Sequence, residues 1–513
     1  MEEQLLPIDA AHSRGAGSLG SWTALLCFSV IGLALPSVFA RLGAGPSWVG
    51  FAWALSFLPY AWLAFATRSQ IAATQRGTLV AAVALASVVS LGAPPLFSDD
   101  VYRYLWDGHI LMSGLDPYAF APNDPALAAF RTELWTQINH PEVPTIYPPL
   151  AQAFFLLATL LGGSVWSVQL LGAAVHVGCT AWLAWRAPKA GLVPALLYGM
   201  NPLAVVETTM MGHLDVVVGF CVVLGAVCLA KDRLRAAILW FGAASAAKLI
   251  GIIIAPLLAL RSWRAAALGV CVALLPLWFV LQAGYGSGEP GGVHQYARRW
   301  SGNAGAFVVI KAGCRYVVDR VAELNGSSPH SITLDPLRPI LRDVSGSAFD
   351  PRLGVRGPKK PPADVATFPR HFVSGLLARV VSVSFAALLL LWLIRRRGDP
   401  LLSVRALLIG VLLLSPQVHP WYLLWILPVE ALTPRRAVTV WSAIVLAVYA
   451  PLEHWLVFRE WELSPWIVGL EYFTLAVILV VERLGETGNS GQRFHRWRRR
   501  FFAKARQIGD STS

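Results

Sequence analysis

The sequence predicts an all-α, polytopic integral membrane protein, and its composition and hydropathy pattern carry this prediction. Its 513 residues are 56% hydrophobic and only 14% charged. Ordinary soluble domains carry roughly 25% charged residues, so this chain has too little charge to cover a surface of its size in water. Apolar stretches recur along the whole chain, many of them near the roughly 20 residues that a helix needs to cross a bilayer. We therefore expect a bundle of about 12 to 14 membrane segments.

The apolar stretches predict the membrane segments in chain order. The clearest cover residues 21–40, 47–67, 77–96, 165–186, 191–208, 214–230, 265–282, 372–394, 401–415, 437–451 and 465–481. Residues 150–161 form a shorter run, which we expect to be an interfacial or re-entrant helix on the outer side. Residues 236–247 and 249–260 should run out and back, with Lys248 at the outer turn. Residues 420–432 are also short for a span, and such shortened helices indicate a cavity in the outer leaflet.

Lysine and arginine residues between the predicted spans indicate the side of each loop, because cytoplasmic loops are richer in them. If the N-terminus is cytoplasmic, the inner loops hold fourteen of these residues and the short outer loops hold four. The outer four are Arg41, Arg103, Arg131 and Arg459. We therefore predict a multi-pass protein of the plasma (inner) membrane, with both termini in the cytoplasm.

We interpret residues 1–482 as one transmembrane domain and residues 483–513 as a basic cytoplasmic tail. The domain includes a first large outer loop at 97–164 and a long outer loop at 284–371, of which we expect part to be disordered because it is rich in Pro, Gly, Ser and charge. The basic run between Arg493 and Arg506 follows an apolar stretch, as lipid-binding runs do. The net charge of +13 therefore indicates membrane lipids, and not nucleic acid, as the partner.

One cluster of ionisable residues follows the third predicted span. Asp99 and Asp100 come directly after the apolar run, and Arg103, Asp107 and His109 follow within the next helical turns. If this segment is helical, three of these side chains, those of residues 100, 103 and 107, share a face. Paired carboxylates at the end of an apolar helix are costly to desolvate unless they face a polar cavity, which favours function for the first two. For Asp107 and His109, ordinary turn chemistry is an equal alternative.

Further ionisable residues are predicted on the same outer side. Glu207 closes one helix, His213 and Asp215 open the next, Lys248 lies at an outer turn, and His419 lies between two prolines near the start of a short helix. A lone buried histidine is more often structural than functional, but the convergence of these groups on one face favours a polar cavity. Three other ionisable residues do not cluster there, and we interpret them as structural. They are His176, Arg379 and Arg405.

These residue types together suit one class of chemistry. Carboxylates beside cations can remove a proton from a hydroxyl group while the cations stabilise a departing phosphate. This combination indicates glycosyl transfer from a lipid phosphate. The lipid tail would lie in the bilayer, and the head group would enter the outer cavity.

Several motifs, taken in order, resemble those of a known superfamily. They are Ser98-Asp-Asp-Val-Tyr-Arg-Tyr-Leu-Trp-Asp-Gly108, Asp116-Pro-Tyr118, Tyr147-Pro-Pro149, Asn201-Pro-Leu203 with Gly212-His-Leu-Asp215, Ala247-Lys248-Leu249 and Pro416-Gln-Val-His-Pro-Trp-Tyr422. Through them the chain resembles the GT-C superfamily of integral membrane glycosyltransferases. It is most similar to the bacterial mannosyltransferases that depend on polyprenol phosphate mannose.

The resemblance implies a donor, a side and a set of roles. The donor would be a polyprenyl phosphate sugar, with mannose as the expected hexose, and an inverting single displacement on the extracytoplasmic side would pass it to a lipid-linked or cell-envelope glycan. Asp99 or Asp100 would be the general base or would position the acceptor. The candidates for binding substrate are Arg103, Asp107, His109, Tyr147, His213, Asp215, Lys248 and His419. Of these, residues 103, 248 and 419 would face the phosphate, and residues 213 and 215 would line the sugar site.

Two other functions remain open from the sequence. A transporter or flippase of lipid-linked sugars would share the lipid substrate, although no clear inverted repeat and no midplane charge pair are visible. A polymerase or ligase of envelope polysaccharide would share the donor and accept a longer chain. We expect no cofactor and no obligatory metal, because hard cations need several oxygen ligands, but Asp99 and Asp100 leave a divalent cation open.

Overall fold

Apolar α-helices make up most of the computed structural model, which describes residues 15–66, 73–186, 191–286, 291–292, 295, 302–324, 331–333, 367–458 and 460–487. The first part contains α1 (Gly15–Arg41), α2 (Pro46–Ala66), α3 (Arg76–Ser90), α4 (Asp100–Met112), α5 (Pro149–Leu160), α6 (Val165–Arg186), α7 (Val193–Gly199), α8 (Pro202–Thr209), α9 (Asp215–Ala230), α10 (Leu234–Lys248) and α11 (Ile250–Ile254). The second part contains α12 (Trp263–Leu281), α13 (Ala306–Leu324), α14 (Arg370–Arg396), α15 (Pro400–Leu414), α16 (Leu427–Ala431), α17 (Ala437–Ile444), α18 (Leu452–Phe458) and α19 (Pro465–Thr487).

Short elements connect these helices. The 3-10 turns are Ala73–Gln75, Pro125–Phe130, Glu133–Gln137, Ala255–Leu260, Pro420–Trp425 and Val445–Tyr449. Two short strands, β1 (Ser331–Thr333) and β2 (Thr367–Pro369), pair antiparallel just before α14. The predicted basic run in the tail and most of the long loop at 284–371 lie outside the described residues.

The long helices have the length and the apolar surface of membrane spans. Among the described residues, five helical stretches are long and apolar enough to cross a membrane, and they are Trp22–Arg41, Val165–Arg186, Trp263–Leu281, Arg370–Arg396 and Ala437–Phe458. Large hydrophobic side chains on their outward faces, such as Ile31, Leu275 and Val383, are more than half exposed. Soluble monomers rarely expose continuous apolar surface of this kind. The predicted all-α, polytopic membrane fold is confirmed.

One predicted span is divided into two helices. Residues 191–208 were expected to form a single segment, but α7 ends at Gly199 and α8 begins at Pro202. Pro202 lacks an amide hydrogen and occupies the first turn of α8, where that hydrogen is not needed. The Asn201 side chain accepts hydrogen bonds from the amides of Leu203 and Ala204 at 3.0 and 3.2 Å, so it caps the new helix.

The chain reverses at Lys248, as the short apolar runs predict. Leu249 follows α10 with a φ of 55°, a left-handed conformation that ends the helix. The next helix then returns along α10, and at Gly251 an added Cβ would lie 1.9 Å from the carbonyl oxygen of Phe241. Because no side chain fits this space, the tight hairpin requires glycine at this position.

Helices α9, α10 and α15 are too short to cross the hydrocarbon core, and α9 begins at the surface where α10 ends. Helices α9, α10 and α15 have 16, 15 and 15 residues, which at 1.5 Å per residue is about 22–24 Å. The hydrocarbon core is about 30 Å thick. If the other ends of these helices lie at the cytoplasmic boundary, their outer ends lie roughly 6 to 8 Å inside the outer leaflet. We call the surface at these ends, formed by His213, Asp215, Lys248, Gln417 and His419, the floor.

The first outer loop covers this floor. Helix α4 packs on α5, and Val101 and Tyr104 of α4 share an apolar cluster with Phe155 of α5 and Leu214, which precedes α9. The start of the second outer loop joins the first, because the amide of Gly284 donates to the carbonyl oxygen of Tyr118 at 2.7 Å. The helices thus hold the floor from one side, and the outer loops close over it.

A buried ionic network ties the carboxyl-terminal helices together at the other end. Arg405 of α15 donates to Glu430 of α16 at 2.8 Å and to Glu482 of α19 at 2.9 Å. Glu430 also accepts from the amides of Val438 and Thr439 at the start of α17. Each buried charge therefore has a partner, as a low-dielectric environment requires. Arg405 is placed away from the floor, in agreement with its structural interpretation.

Candidate active site

The two aspartates lie at the amino end of α4 and differ in environment. Asp99 is the residue before the helix, and its carboxylate accepts a hydrogen bond from the side-chain amide of Asn139 in the outer loop. Burial, together with the negative charge of Asp100, raises the pKa of Asp99 to about 6. Asp100 begins the helix, and its side chain is about a quarter exposed. A carboxylate with a pKa near neutral pH suits a general base.

His213 connects these aspartates to a buried glutamate. Its Nε2 lies 3.1 Å from Oγ of Ser98 and 4.0 Å from a carboxylate oxygen of Asp100. Its Nδ1 lies 2.8 Å from Oε2 of Glu207, and both side chains are fully buried. The hydroxyl of Tyr449 donates to the other carboxylate oxygen of Glu207 at 2.9 Å. The histidine therefore lies between an inner and an outer carboxylate.

Lys248 forms a second charge pair on the floor. Its Nζ donates to both carboxylate oxygens of Asp215, at 2.7 and 2.9 Å. The indole nitrogen of Trp425 also donates to Asp215, at 2.6 Å. The lysine nitrogen lies 5.1 Å from the ring centre of Tyr422 and 5.9 Å from that of Trp425, within the range of cation–π attraction. Lys248 is thus a fixed cation whose charge is already partly balanced.

Aromatic stacking holds the two floor histidines. The ring of Trp421 stacks on His213 with centres 4.0 Å apart and on His419 with centres 4.2 Å apart. His419 is outside the helices, and its Nε2 lies 3.2 Å from the side-chain nitrogen of Gln417. Burial, together with the nearby positive charges of Lys248 and His213, lowers the pKa of His419 to about 3. His419 is therefore a neutral polar group at physiological pH.

The sequence-predicted residues divide into two groups. In the first group, His213 lies beside Asp100, the neighbour of Asp99, and Lys248 pairs with Asp215. Trp421 stacks on both His213 and His419, and Tyr422 packs on His419 and lies 5.1 Å from Nζ of Lys248, so these two rings link the parts. The other candidates lie higher, in the outer loop, and their described contacts are with one another and with that loop. They are Arg103, Asp107, His109 and Tyr147.

The outer-loop candidates form a buried polar network. Arg103 donates from Nε to Asp107 at 2.9 Å and from Nη1 to the carbonyl oxygen of Val143. Asp107 also accepts from Thr145 at 2.6 Å and from Gln152 at 3.0 Å. This network fastens the outer loop to α4 and α5. Helical spacing predicted that Arg103 and Asp107 share a face, and in the structure they pair with each other.

The remaining outer-loop candidates pack against aromatic and backbone groups. His109 lies 3.2 Å from the carbonyl oxygen of Phe130 through Nε2. Tyr147 is nearly buried, packs edge-on against Tyr104 and Phe155, and accepts the hydroxyl of Tyr118 at its backbone carbonyl. These contacts position the loop above the floor, and a direct substrate role for these residues stays a prediction.

The structure adds site residues that sequence reasoning left out. Ser98, Asn139, Gln417, Trp421 and Trp425 each contact a predicted site residue. Most of them lie within or beside the quoted motifs, so their position in a motif could have marked them as candidate site residues. Asn139 lies in the loop far from any motif, and nothing in the sequence alone marks it.

The described residues can be compared with the ligand set that a metal ion needs, which is several oxygen, nitrogen or sulfur atoms around one point. Within them no group of three or more His, Cys, Asp and Glu side chains is placed to hold a metal ion. Asp99 accepts a hydrogen bond from Asn139, and both carboxylate oxygens of Asp215 accept from Lys248. The expectation that no metal is obligatory stays a prediction.

Two family models match the chain. The model described as "Alpha-(1->6)-mannopyranosyltransferase, N-terminal domain" matches residues 14–264. The model described as "MptB C-terminal domain" matches residues 372–481. Together they cover more than half of the 513 residues, and the long outer loop lies in the stretch between them.

Two curated proteins show the same relationship. A protein of Mycolicibacterium smegmatis named "Probable alpha-(1->6)-mannopyranosyltransferase" is 27% identical over 423 residues, which is 71% of this chain and 67% of that protein. The protein of Mycobacterium tuberculosis named "Alpha-(1->6)-mannopyranosyltransferase A" is 30% identical over 135 residues, a quarter of each chain. No solved structure gives a significant match.

Proposed function

Because the chain belongs to the alpha-(1->6)-mannopyranosyltransferase family over the two matched regions, we propose that it transfers a mannosyl residue from a polyprenyl phosphate donor to a cell-envelope glycan or glycolipid. The observation that carries this proposal is the convergence of carboxylates and cations on the floor. Asp99 and Asp100 lie above it, and His213 and Lys248 lie within it.

The proposed reaction is a single displacement with inversion at the anomeric carbon. Asp99 removes the proton from the acceptor hydroxyl as the hydroxyl oxygen bonds to C1 of the mannose. The bond between C1 and the phosphate oxygen breaks, and its electron pair leaves with the polyprenyl phosphate. A base with a pKa of about 6 is ionised at neutral pH and remains basic enough to take this proton.

Cations would stabilise the phosphate as negative charge develops on it. Lys248 is the proposed main partner, because it is held between Asp215 and two aromatic rings. Preorganised charge of this kind needs no rearrangement during the reaction. Neutral His419 is proposed to donate or accept a hydrogen bond at the same group, and Asp215 and His213 are proposed to line the sugar site.

The location of the floor supports a lipid donor. A head group attached to a polyprenyl chain would reach a surface that lies a few ångströms inside the leaflet without leaving the membrane. We propose that the reaction occurs on the extracytoplasmic side, where the positive-inside rule predicts the floor to lie.

Separate Asp99→Asn and Asp100→Asn variants test the assigned chemistry. Purified enzyme in detergent is supplied with radiolabelled polyprenyl phosphomannose and an envelope glycolipid fraction, and transferred label is counted. We expect Asp99→Asn to lose roughly 100-fold or more of the rate. Asp232→Asn serves as the control, because that exposed aspartate pairs with Arg261 far from the floor. Full activity in both test variants would refute the assignment.

The same assay separates the alternatives. Transfer in detergent, where no membrane gradient exists, identifies an enzyme, and a flippase would show none. Measuring the number of sugars added to each acceptor distinguishes a single transfer from a polymerase. We expect activity to persist in a chelator, and loss of activity with rescue by magnesium or manganese would overturn the metal-free proposal.

A further inference from the structure

We propose that Glu207 is a positioning residue for this transfer reaction, and that its carboxylate keeps the His213 imidazole positively charged and directed at Ser98 and Asp100. The inference rests on the proposed function. Glu207 touches neither of the proposed catalytic aspartates, and it acts on them through the histidine.

The first support is the pair of contacts that Glu207 makes. Its Oε2 lies 2.8 Å from Nδ1 of His213, and its Oε1 accepts the hydroxyl hydrogen of Tyr449. Both Glu207 and His213 have no exposed surface. A buried carboxylate is unfavourable unless a cation or donors balance it, and the imidazole is the group of the described contacts that could supply a cation beside it.

The second support is the backbone that fixes the pair. Glu207 lies near the end of α8, and the amide of His213 donates to the Glu207 carbonyl oxygen at 2.9 Å. Gly212 between them has a φ of 77°, a left-handed conformation that glycine adopts without strain. The turn therefore folds His213 back over the glutamate and leaves Nε2 pointing toward Ser98.

The third support is the contrast between the two histidines on Trp421. His213 and His419 both stack on the indole of Trp421 at similar distances, 4.0 and 4.2 Å between ring centres. His213 has a carboxylate within 3 Å, whereas His419 has a glutamine amide at 3.2 Å. Because both rings share the indole, which attracts a stacked cation, their other partners distinguish them. The carboxylate favours a charged His213, and the amide of Gln417 suits a neutral His419.

The charge on His213 has a consequence for Asp99. The histidine opposes the rise in the pKa of Asp99 that burial and Asp100 cause. The other titratable or charged groups around this cluster are Asp100 on α4, Lys248 at the end of α10, His419 on the far side of Trp421 and Tyr449 beyond Glu207. Removing the negative charge of Glu207 should discharge His213 and let the pKa of Asp99 rise.

Glu207→Gln tests this, because it keeps the size of the side chain and removes its charge. A loss of one nearby charge moves a carboxyl pKa by roughly 1 unit. The rate at pH 5.5 should then fall roughly eightfold to tenfold, while the rate at pH 8.5 stays within about twofold of wild type. The acidic limb of the profile of kcat/KM against pH moves to higher pH, and the donor KM changes little at pH 8.5.

Glu471→Gln is the matched control. Glu471 is also a nearly buried glutamate within the bundle, hydrogen-bonded to Trp441 at 2.7 Å, and none of its described contacts is with a site residue. This variant should leave the pH profile unchanged. A Glu207→Gln enzyme that loses the same fraction of activity at pH 5.5 and 8.5, or that behaves like the control, would overturn the proposal.

A second readout does not depend on turnover. The ¹⁵N chemical shifts of the His213 ring, recorded on histidine-labelled protein in nanodiscs and assigned with His213→Asn, should change from a protonated to a neutral pattern in Glu207→Gln. If wild type transfers no mannose but the His213 ring shifts still change in Glu207→Gln, the proposed function is wrong and the pairing of Glu207 with His213 is supported. If the shifts are the same in both proteins, the pairing itself is wrong.

Discussion

At the scale of single residues, the adjacent carboxylates of Asp99 and Asp100 differ because they have different partners. Asp99 is more buried and is bound by Asn139, whereas Asp100 faces His213 and the opening. Two adjacent acids of equal environment would compete for one proton near neutral pH. The structure instead favours proton uptake at Asp99.

The pH dependence of transfer follows from the direction of this shift. The pKa of Asp99 is raised from 3.8 to about 6, so the base is protonated and inactive at pH 5 and ionised at pH 7.5. The wild-type rate should rise with pH through about 6 and then level off. Measuring kcat/KM from pH 4.5 to 8.5 checks this, and a limb centred near 4 would contradict it.

Lys248 is expected to contribute to both stability and donor binding. Lys248→Gln leaves the fully buried Asp215 without its cation, and removing one partner of a buried pair costs roughly 3–5 kcal/mol. The melting temperature in detergent should fall, and the donor KM should rise. The double variant with Asp215→Asn should recover much of the melting temperature and none of the donor affinity. Recovery of both would show that the lysine does not contact the donor.

Residue identity could be predicted from the sequence better than residue partnership. Asp99, His213 and Lys248 interrupt apolar runs, and a charge at membrane depth is rare enough to be noticed. The role of Trp421 between two histidines was not predictable, because tryptophan is common in this chain and only the fold shows which rings it meets.

At the scale of elements, short helical hairpins set the shape of the site. Helices α10 and α11 reverse at Leu249, and the close approach at Gly251 lets the returning chain lie against α10. The sequence predicted this reversal because the two short halves satisfy the distribution of loop Lys and Arg only if they run out and back. It did not predict the break at Asn201, because apolar residues continue on both sides of it and transmembrane helices often tolerate a proline.

Gly251→Ala should disrupt the hairpin. The new Cβ would meet the Phe241 carbonyl oxygen and the Ser245 amide, neither of which is a flexible side chain. We expect a loss of roughly 2 kcal/mol or more, with lower activity, because Lys248 lies three residues away. Gly178→Ala in α6 is the control, since nothing lies within 4 Å of its added Cβ, and alanine favours helix. Thermal unfolding in detergent compares the two, and equal stability would show that the hairpin can relax.

At the scale of the whole molecule, charged residues separate into an inner and an outer set. Arg186 ends α6, and Lys231 and Arg233 follow the end of α9. Burial, and then the positive charge of Arg233, lowers the pKa of Lys231. Such basic ends are typical of the cytoplasmic side. The other set contains Asp99, Asp100 and the floor, whereas Glu430 and Glu482 lie with Arg405. That the two sets lie on opposite sides of the membrane stays a prediction from loop charge, and the sequence could not predict that the first outer loop folds down over the floor through Tyr104 and Leu214.

Cysteine labelling in intact cells tests the predicted orientation. A cysteine at Thr136, which is exposed in the first outer loop, should react with a membrane-impermeant maleimide. A cysteine at Arg235, which is exposed at the start of α10, should react only after permeabilisation. Wild type supplies the background from its own cysteines. The reverse pattern would place the site in the cytoplasm.

The short helices also make membrane thickness a variable of the reaction. If their other ends lie at the cytoplasmic boundary, their length sets the floor about 22–24 Å from that boundary, so a thicker bilayer places the floor further below the opposite interface. A donor phosphate must then move deeper into the hydrocarbon to reach the floor, which is unfavourable for a charged group. In nanodiscs with acyl chains of roughly 14 to 22 carbons, turnover should be highest in the thinner bilayers. An enzyme of this design would sense the sorting of lipids by chain length without a dedicated regulatory site.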